Sequence, residues 1–198
     1  MQSPLIVAYY TPGPYEAHVD ELRSTLLYFD LEHQIDELSP AGDWRANAHL
    51  RPVYLAKKRQ QHPGRRLLSL DVDARVRSNP FPALERIECD VGFHTHVRPN
   101  SGDREPLPGT LLLCPTPRAD RLLSTWAALN EEHPSLNDRD NFAAAVAYCL
   151  MNEGGLIVGE LDVEFAFIFD THRRMYPGRK PVIEHMQASR RLRKEIGA

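Results

Sequence analysis

Leu67-Leu68-Ser69-Leu70-Asp71-Val72-Asp73 decides how this chain is read. A short apolar run enters two acids separated by one valine. His62-Pro63-Gly64 stands before it, and Ser78-Asn79-Pro80-Phe81-Pro82 turns the chain after it. A compact apolar run bounded by such breakers reads as a buried strand. In open α/β sheets, ligands collect beyond the carboxyl ends of the strands. Asp71 and Asp73 therefore stand where a ligand is expected. In a straight strand, residues two apart point to the same side, and two carboxylates there repel unless a cation or proton lies between them. Mg²⁺ or Mn²⁺ carrying a diphosphate would supply that cation, because hard cations take carboxylate and phosphate oxygens. The plainer alternative is a solvated turn with capping aspartates.

Outward from this stretch the chain alternates strand and helix. Leu5 to Tyr10 is an apolar run closed by Thr11-Pro12-Gly13-Pro14, so it predicts a buried first strand and a tight turn. Tyr15, Val19, Leu22, Leu26 and Phe29 then recur at helical spacing. Residues 34–38 predict a second strand. Residues 44–61 predict helix, with a fresh start at Pro52. Asp90–His94 and Thr110–Cys114 predict two more strands, with a Pro-, Gly- and charge-rich loop at 98–109 between them. Two helices follow, one carrying Leu122, Trp126 and Leu129, the other Phe142, Val146 and Cys149. Val163–Phe169 predicts a late strand, and the chain closes on a basic helix. This order predicts an α/β fold with a mostly parallel central sheet and helices on both faces.

The 198 residues suit one domain, 1–198. A formal net charge of -3 and 42% apolar residues argue against disorder and against a uniformly basic nucleic-acid coat. The charge is uneven: residues 173–198 carry +6 and the rest -9. That basic segment either faces an anionic ligand or forms a solvated terminal helix. Cys89, Cys114 and Cys149 are distant in sequence and predict buried free thiols. The start of the chain lacks a signal-peptide pattern, and no apolar stretch approaches bilayer length, so a soluble cytoplasmic protein is expected.

Other groups could carry chemistry. His185 lies in a short apolar patch within the basic segment and could join carboxylates around Mn²⁺. His94 and His96 alternate on a strand and could share a face, without a third ligand nearby in sequence. The usual glycine-rich phosphate loops are missing, as are the nucleophile elbow and the zinc-protease motif. A phosphate grip would then fall to the metal and to Arg51, Arg190 and Arg191. Trp44 and Trp126 could stack on a sugar, although Trp126 sits at a core position of its helix.

Taken together, the chain resembles the A-type glycosyltransferase fold of the nucleotide-diphospho-sugar transferase superfamily, over most of its length. The resemblance rests on Tyr9-Tyr10-Thr11, on Trp44, Asn47, Arg51 and Pro52, and on Leu70-Asp71-Val72-Asp73-Ala74 with Asn79-Pro80-Phe81. It continues through Gly109-Thr110-Leu111, Asn137 to Phe142, and Ile183 to Arg190. It departs at Arg51, where lysine is usual, and at Asn141, where glutamine is commoner. It implies a Rossmann-like fold in which Tyr10 and Thr11 line the nucleotide base pocket. Asp71, Asp73 and His185 would hold Mn²⁺ or Mg²⁺, Asp71 facing the ribose as well. Arg51 and Arg190 would reach the diphosphate. The segment 173–198 would complete the site. Because one short stretch carries both a possible metal ligand and phosphate donors, the part from Lys180 to Arg191 is expected to close over bound donor.

The implied reaction moves a sugar from a nucleoside-diphosphate sugar, with uridine favoured by resemblance, to a hydroxyl on a glycan, lipid-linked, protein or small-molecule acceptor. Asp138 and Asp140 are the candidate general bases, with helix capping as their alternative role. Nucleic acid is not expected as a partner. The rival readings are a Mg²⁺-dependent nuclease or phosphotransferase and a non-enzymatic nucleotide- or carbohydrate-binding module.

Overall fold

The computed structural model of the chain describes residues 3–13, 15–98, 101–152, 155–188 and 190. Strand β1 (Leu5–Tyr10), helix α1 (Glu16–Tyr28) and strand β2 (His33–Glu37) open the fold. Helices α2 (Trp44–His49) and α3 (Arg51–Gln61) lead to β3 (Leu67–Leu70), β4 (Ala74–Val76) and α4 (Phe81–Leu84). Strands β5 (Val91–Val97) and β6 (Arg104–Leu113) form a hairpin, followed by α5 (Pro117–Glu132), α6 (Asp138–Asn152) and β7 (Val158–Glu160). A 3₁₀ turn at Val163–Phe165, strand β8 (Phe167–Ile168), helix α7 (Thr171–Met175) and β9 (Ile183–His185) complete it.

The main sheet runs β2-β1-β3-β6-β5-β7. Its β1–β2, β1–β3 and β5–β7 pairs are parallel, and β6 is antiparallel to both neighbours. A second sheet, β4-β9-β8, carries the chain's late strands. Period-2 alternation divides the core between the two faces of the main sheet. Ile6, Ala8, Leu68, Leu70 and Leu112 pack towards α1, where Val19, Leu22 and Leu26 form the buried stripe. Leu5, Val7, Leu67, Leu111 and Leu113 pack towards Leu55, Leu122, Trp126 and Phe142 of α3, α5 and α6. Each such side chain, fully buried, contributes roughly 1.5–3 kcal/mol. Asp43 caps α2 by accepting from the Ala46 amide, and Thr116 caps α5 through Ala119. Pro52 stands in the first turn of α3, as the sequence predicts.

Four expectations are corrected. The predicted loop at 98–109 is strand from Arg104 onward. Pro106 and Pro108 disguise it, and the strand tolerates them because β3 pairs only with Leu113 to Thr110, leaving this stretch against β5 alone. The predicted strand at 163–169 is a 3₁₀ turn and a two-residue strand. All three cysteines are free thiols as expected, but Cys89 is only partly buried, and its sulfur lies 3.7 Å from that of Cys114. Finally, Asp71-Val72-Asp73 is a turn between β3 and β4 rather than a continuing strand, closed by the Ala74 amide donating to the Asp71 carbonyl. The terminal helix expected beyond Arg190 lies outside the described residues.

Candidate active site

The cleft lies beyond the carboxyl ends of β1 and β3. Tyr10, Thr11, Trp44, Asn47, Arg51 and Asp71 are among the residues that line it. Tyr9 Oη donates to the Asn47 and Ala48 carbonyls at 3.0 and 3.2 Å, tying the strand end to α2. Burial pushes the Tyr9 phenol well above its ordinary range, so it stays a neutral donor. Tyr10 Oη donates to Glu37 at 2.9 Å, and Trp44 Nε1 to Tyr15 Oη at 3.1 Å. Trp126, in contrast, is core: it is fully buried and donates to the Asp138 carbonyl.

Arg51 stands at the centre of the wall. Its Nη2 is 2.6 Å from Asp71 Oδ1, its Nη1 donates to the Pro108 carbonyl at 2.7 Å, and its Nε is 3.5 Å from Asp138 Oδ2. Burial alone would lower the Arg51 pKa, but Asp71 and Asp138 outweigh it and the guanidinium remains charged. Asp138 is buried, and desolvation pushes its carboxyl up to about 6 against the pull of Arg51. Its Oδ1 accepts from Asn130 at 3.3 Å, while Oδ2 has no hydrogen-bond partner. Asn141, which departs from the resembled pattern, sits one step behind. It donates to Asn130 and so steadies the amide that holds Asp138. Asp140 is half-exposed and engaged by Asn137 and Arg139.

The two acids of the turn meet His185 through strand pairing. Ala74 of β4 is opposite His185 of β9, which places the imidazole beside the preceding Asp73. Asp73 Oδ2 accepts from the Ala188 amide at 2.7 Å, and its Oδ1 lies 3.9 Å from His185 Nδ1. Burial raises the Asp73 pKa, yet His185 and the Ala188 amide more than offset this and hold the carboxyl below its usual range. His185 Nε2 lies 2.8 Å from Thr110 Oγ1. One ligand atom each from Asp71, Asp73 and His185 falls within 4.8 Å of the others. Gly109 keeps the space between them clear. A Cβ there would come 2.8 Å from Asp71 Oδ2 and 3.2 Å from His185 Cε1.

Among the described residues of the basic segment, three arginines pair with acids, one of them with Glu184 of the segment itself. Arg173 pairs with Glu184, Arg179 with Glu164 and Asp162, and Arg190 Nη1 with Asp170 at 3.1 Å. Within it, β9 is paired on both edges, which holds Ile183 to His185 in the small sheet. Arg191 lies outside the described residues. The supporting roles of Pro108 and Asn130 carried no sequence signal, since each acts through a partner distant in the chain.

A family model for nucleotide-diphospho-sugar transferases matches residues 62–195, more than half the chain and including Asp71, Asp73 and His185. The chain belongs to this family. The transferase also shares its fold with solved glycosyltransferases. One, involved in glycosylation of the major capsid of PBCV-1, is 18% identical with a TM-score of 0.63 over 98% of both chains. GlyE of Streptococcus pneumoniae TIGR4 is 12% identical with a TM-score of 0.58, over 93% of this chain and 54% of its own. The bifunctional WbbM is 10% identical with a TM-score of 0.59, over 94% of this chain and 46% of its own. No curated protein matches the transferase. The chain is thus a nucleotide-sugar-dependent glycosyltransferase of the A-type fold. Among the described residues, no helix is long and apolar enough to cross a membrane.

Proposed function

We propose that the enzyme transfers a sugar from a uridine-diphosphate sugar to an acceptor hydroxyl, with Mn²⁺ or Mg²⁺ held by Asp71, Asp73 and His185. The observation that carries this reading is the convergence of two carboxylates and one imidazole on the space that Gly109 leaves open. Two acids and a histidine suit Mn²⁺ in particular. When bound there, a divalent cation neutralises charge on the departing diphosphate. With its Nε2 proton towards the Thr110 hydroxyl, His185 keeps the Nδ1 lone pair on the Asp73 side.

The protein's own groups do the rest. Tyr10 and Thr11, at the mouth of β1, orient the base and ribose. Arg51 fixes Asp71 and offers positive charge to the diphosphate. Asp138 is the better candidate than Asp140 for taking the acceptor proton, because it is buried, joined to Asp71 through Arg51, and titrates at about 6. The segment from residue 173 onward completes the site by supplying His185. Arg190 gives Asp170 only its Nη1, so the rest of its fork can serve a phosphate.

Calorimetry of UDP binding with and without Mn²⁺ tests the donor and metal together, and a hydrolysis screen of nucleotide sugars tests turnover before any acceptor is known. Equal UDP affinity in both conditions would remove the metal from this reading. Turnover of another nucleotide sugar in preference to uridine donors would remove the base assignment.

A further inference from the structure

Strand β5 presents His94 and His96 to the same side, and α7 brings His172 against them. The His172 ring centroid lies 5.9 Å from that of His94 and 5.2 Å from that of His96. One ring nitrogen from each residue falls within 4.8 Å of the other two. His172 is fully buried and His94 is 9% exposed, while His96 is half-buried. The strand pattern explains the first two, and an irregularity in the β5–β6 register between Gly92 and His94 re-aims that stretch.

The backbone sets the protons. His94 Nδ1 lies 2.9 Å from the Leu161 carbonyl oxygen, so its proton is on Nδ1. Its Nε2 is then a bare lone pair, and it is buried with no hydrogen-bond partner. Such orphans are rare in native proteins. One ring nitrogen given to a carbonyl and the other left open is also how a metal-ligating histidine is held. Behind His94, Glu160 Oε1 lies 3.3 Å from the same Nδ1. His96 Nδ1 and His172 Nε2 face each other at 3.1 Å, near enough for a cation to replace the proton between them.

We propose that His94, His96 and His172 form a second cation site, separate from the Asp71–Asp73–His185 cluster, which takes a borderline transition metal such as Zn²⁺ through three imidazole nitrogens. Three neutral imidazoles suit Zn²⁺ or Co²⁺, whereas Mg²⁺ prefers oxygen ligands. The fourth metal position is open to water or to an oxygen ligand. Ligation by His172 has one cost. The Ile168 amide lies 3.1 Å from its Nδ1, and moving the ring proton there gives up that contact. The gain is a clasp between the sheets. His94 and His96 belong to the main sheet, while His172 follows Ile168, which pairs with His185 in the small one.

The test uses tag-free full-length chain carrying Asp73→Asn, which weakens the carboxylate site. Zn²⁺ is titrated by equilibrium dialysis, and Co²⁺ by visible absorption. The D73N protein should bind one Zn²⁺ with a rise in Tm, and Co²⁺ should give d–d bands without thiolate charge transfer. Adding His96→Ala, at the most exposed of the three rings, removes the partner of His172 Nε2 and should lower the metal-free Tm modestly while the chain still folds. It should weaken Zn²⁺ by about 100-fold or more, because loss of a direct ligand costs at least what loss of a supporting contact does. If D73N takes up no Zn²⁺, or if D73N/H96A retains it, the site does not exist. A thiolate band would place the metal at Cys89 and Cys114 and likewise overturn the proposal.

Discussion

Arg51 joins Asp71, at the mouth of the cleft, to Asp138, buried behind it: one guanidinium lies 2.6 Å from the first and 3.5 Å from the second. A buried cation between two acids is costly to remove, because at least one acid is then left without compensation. Arg51→Ala should lower stability by about 3 kcal/mol, the low end for breaking a buried pair, since Asp138 can neutralise itself by taking a proton. Arg51→Lys should lose less, keeping the charge but not the fork that also reaches Pro108. Urea midpoints check both. On the proposed role at the diphosphate, R51A should also lose more affinity for UDP than for uridine.

Asp138 makes stability pH-dependent with a definite sign. Its folded pKa is about 6 against an ordinary 3.8. Between these values the folded chain holds a proton that the unfolded chain has released. The associated stability is present below about pH 4 and is lost as pH rises through 6. Asp138→Asn should remove this slope and, at pH 7, be more stable than the parent by roughly 1–3 kcal/mol. Chemical denaturation at pH 4, 5, 6 and 7 measures it. The same variant should lose most of its transferase activity if Asp138 takes the acceptor proton, so stability and activity would move in opposite directions.

Gly109→Ala places a methyl 2.8 Å from Asp71 Oδ2. The chain should fold, but Asp71 or His185 must shift, and misplacement of about 1 Å at a reacting centre can cost 100-fold in rate. Mn²⁺-dependent UDP affinity should fall with it. Wild-type metal response in G109A would show that the space is not used.

Thr110→Val keeps the side-chain shape and removes the hydroxyl that lies 2.8 Å from His185 Nε2. Loss of such an orienting contact weakens metal binding by about 10–100-fold. The apparent Mn²⁺ constant for UDP binding should rise accordingly, with little effect on UDP binding in EDTA. Asp73→Ala should abolish the Mn²⁺ response altogether.

Much of this arrangement was legible in the chain because it depends on local pattern. The apolar runs at Leu5 and Leu67, the stripe through Val19, Leu22 and Leu26, and the acids at Asp71 and Asp73 each announce themselves within a few residues. The rest depends on pairing. Pro106 and Pro108 read as loop until the pairing of β6 with β3 is seen to stop at Thr110, which leaves them beside β5 alone. His172 gave no signal as the third member of the histidine cluster, because its partners lie on β5, some eighty residues earlier. Arg190 read as a phosphate donor from its charge, and only the fold shows that its Nη1 also pairs with Asp170.

The pairing of β4 with β9 has a consequence for the order in which the enzyme is made. Ala74 and His185 are neighbours in space, but 111 residues separate them in the chain. At about 5–20 residues per second, the ribosome presents the two acids roughly 6–20 s before the histidine. During that interval the β1–β3 cleft can form with Arg51 on Asp71, while Asp73 has neither His185 nor the Ala188 amide. A nascent chain, or one cut before residue 183, can therefore own the β1–β3 cleft without the third group of the proposed cation site. On the proposed reading, sugar transfer waits on the return of β9.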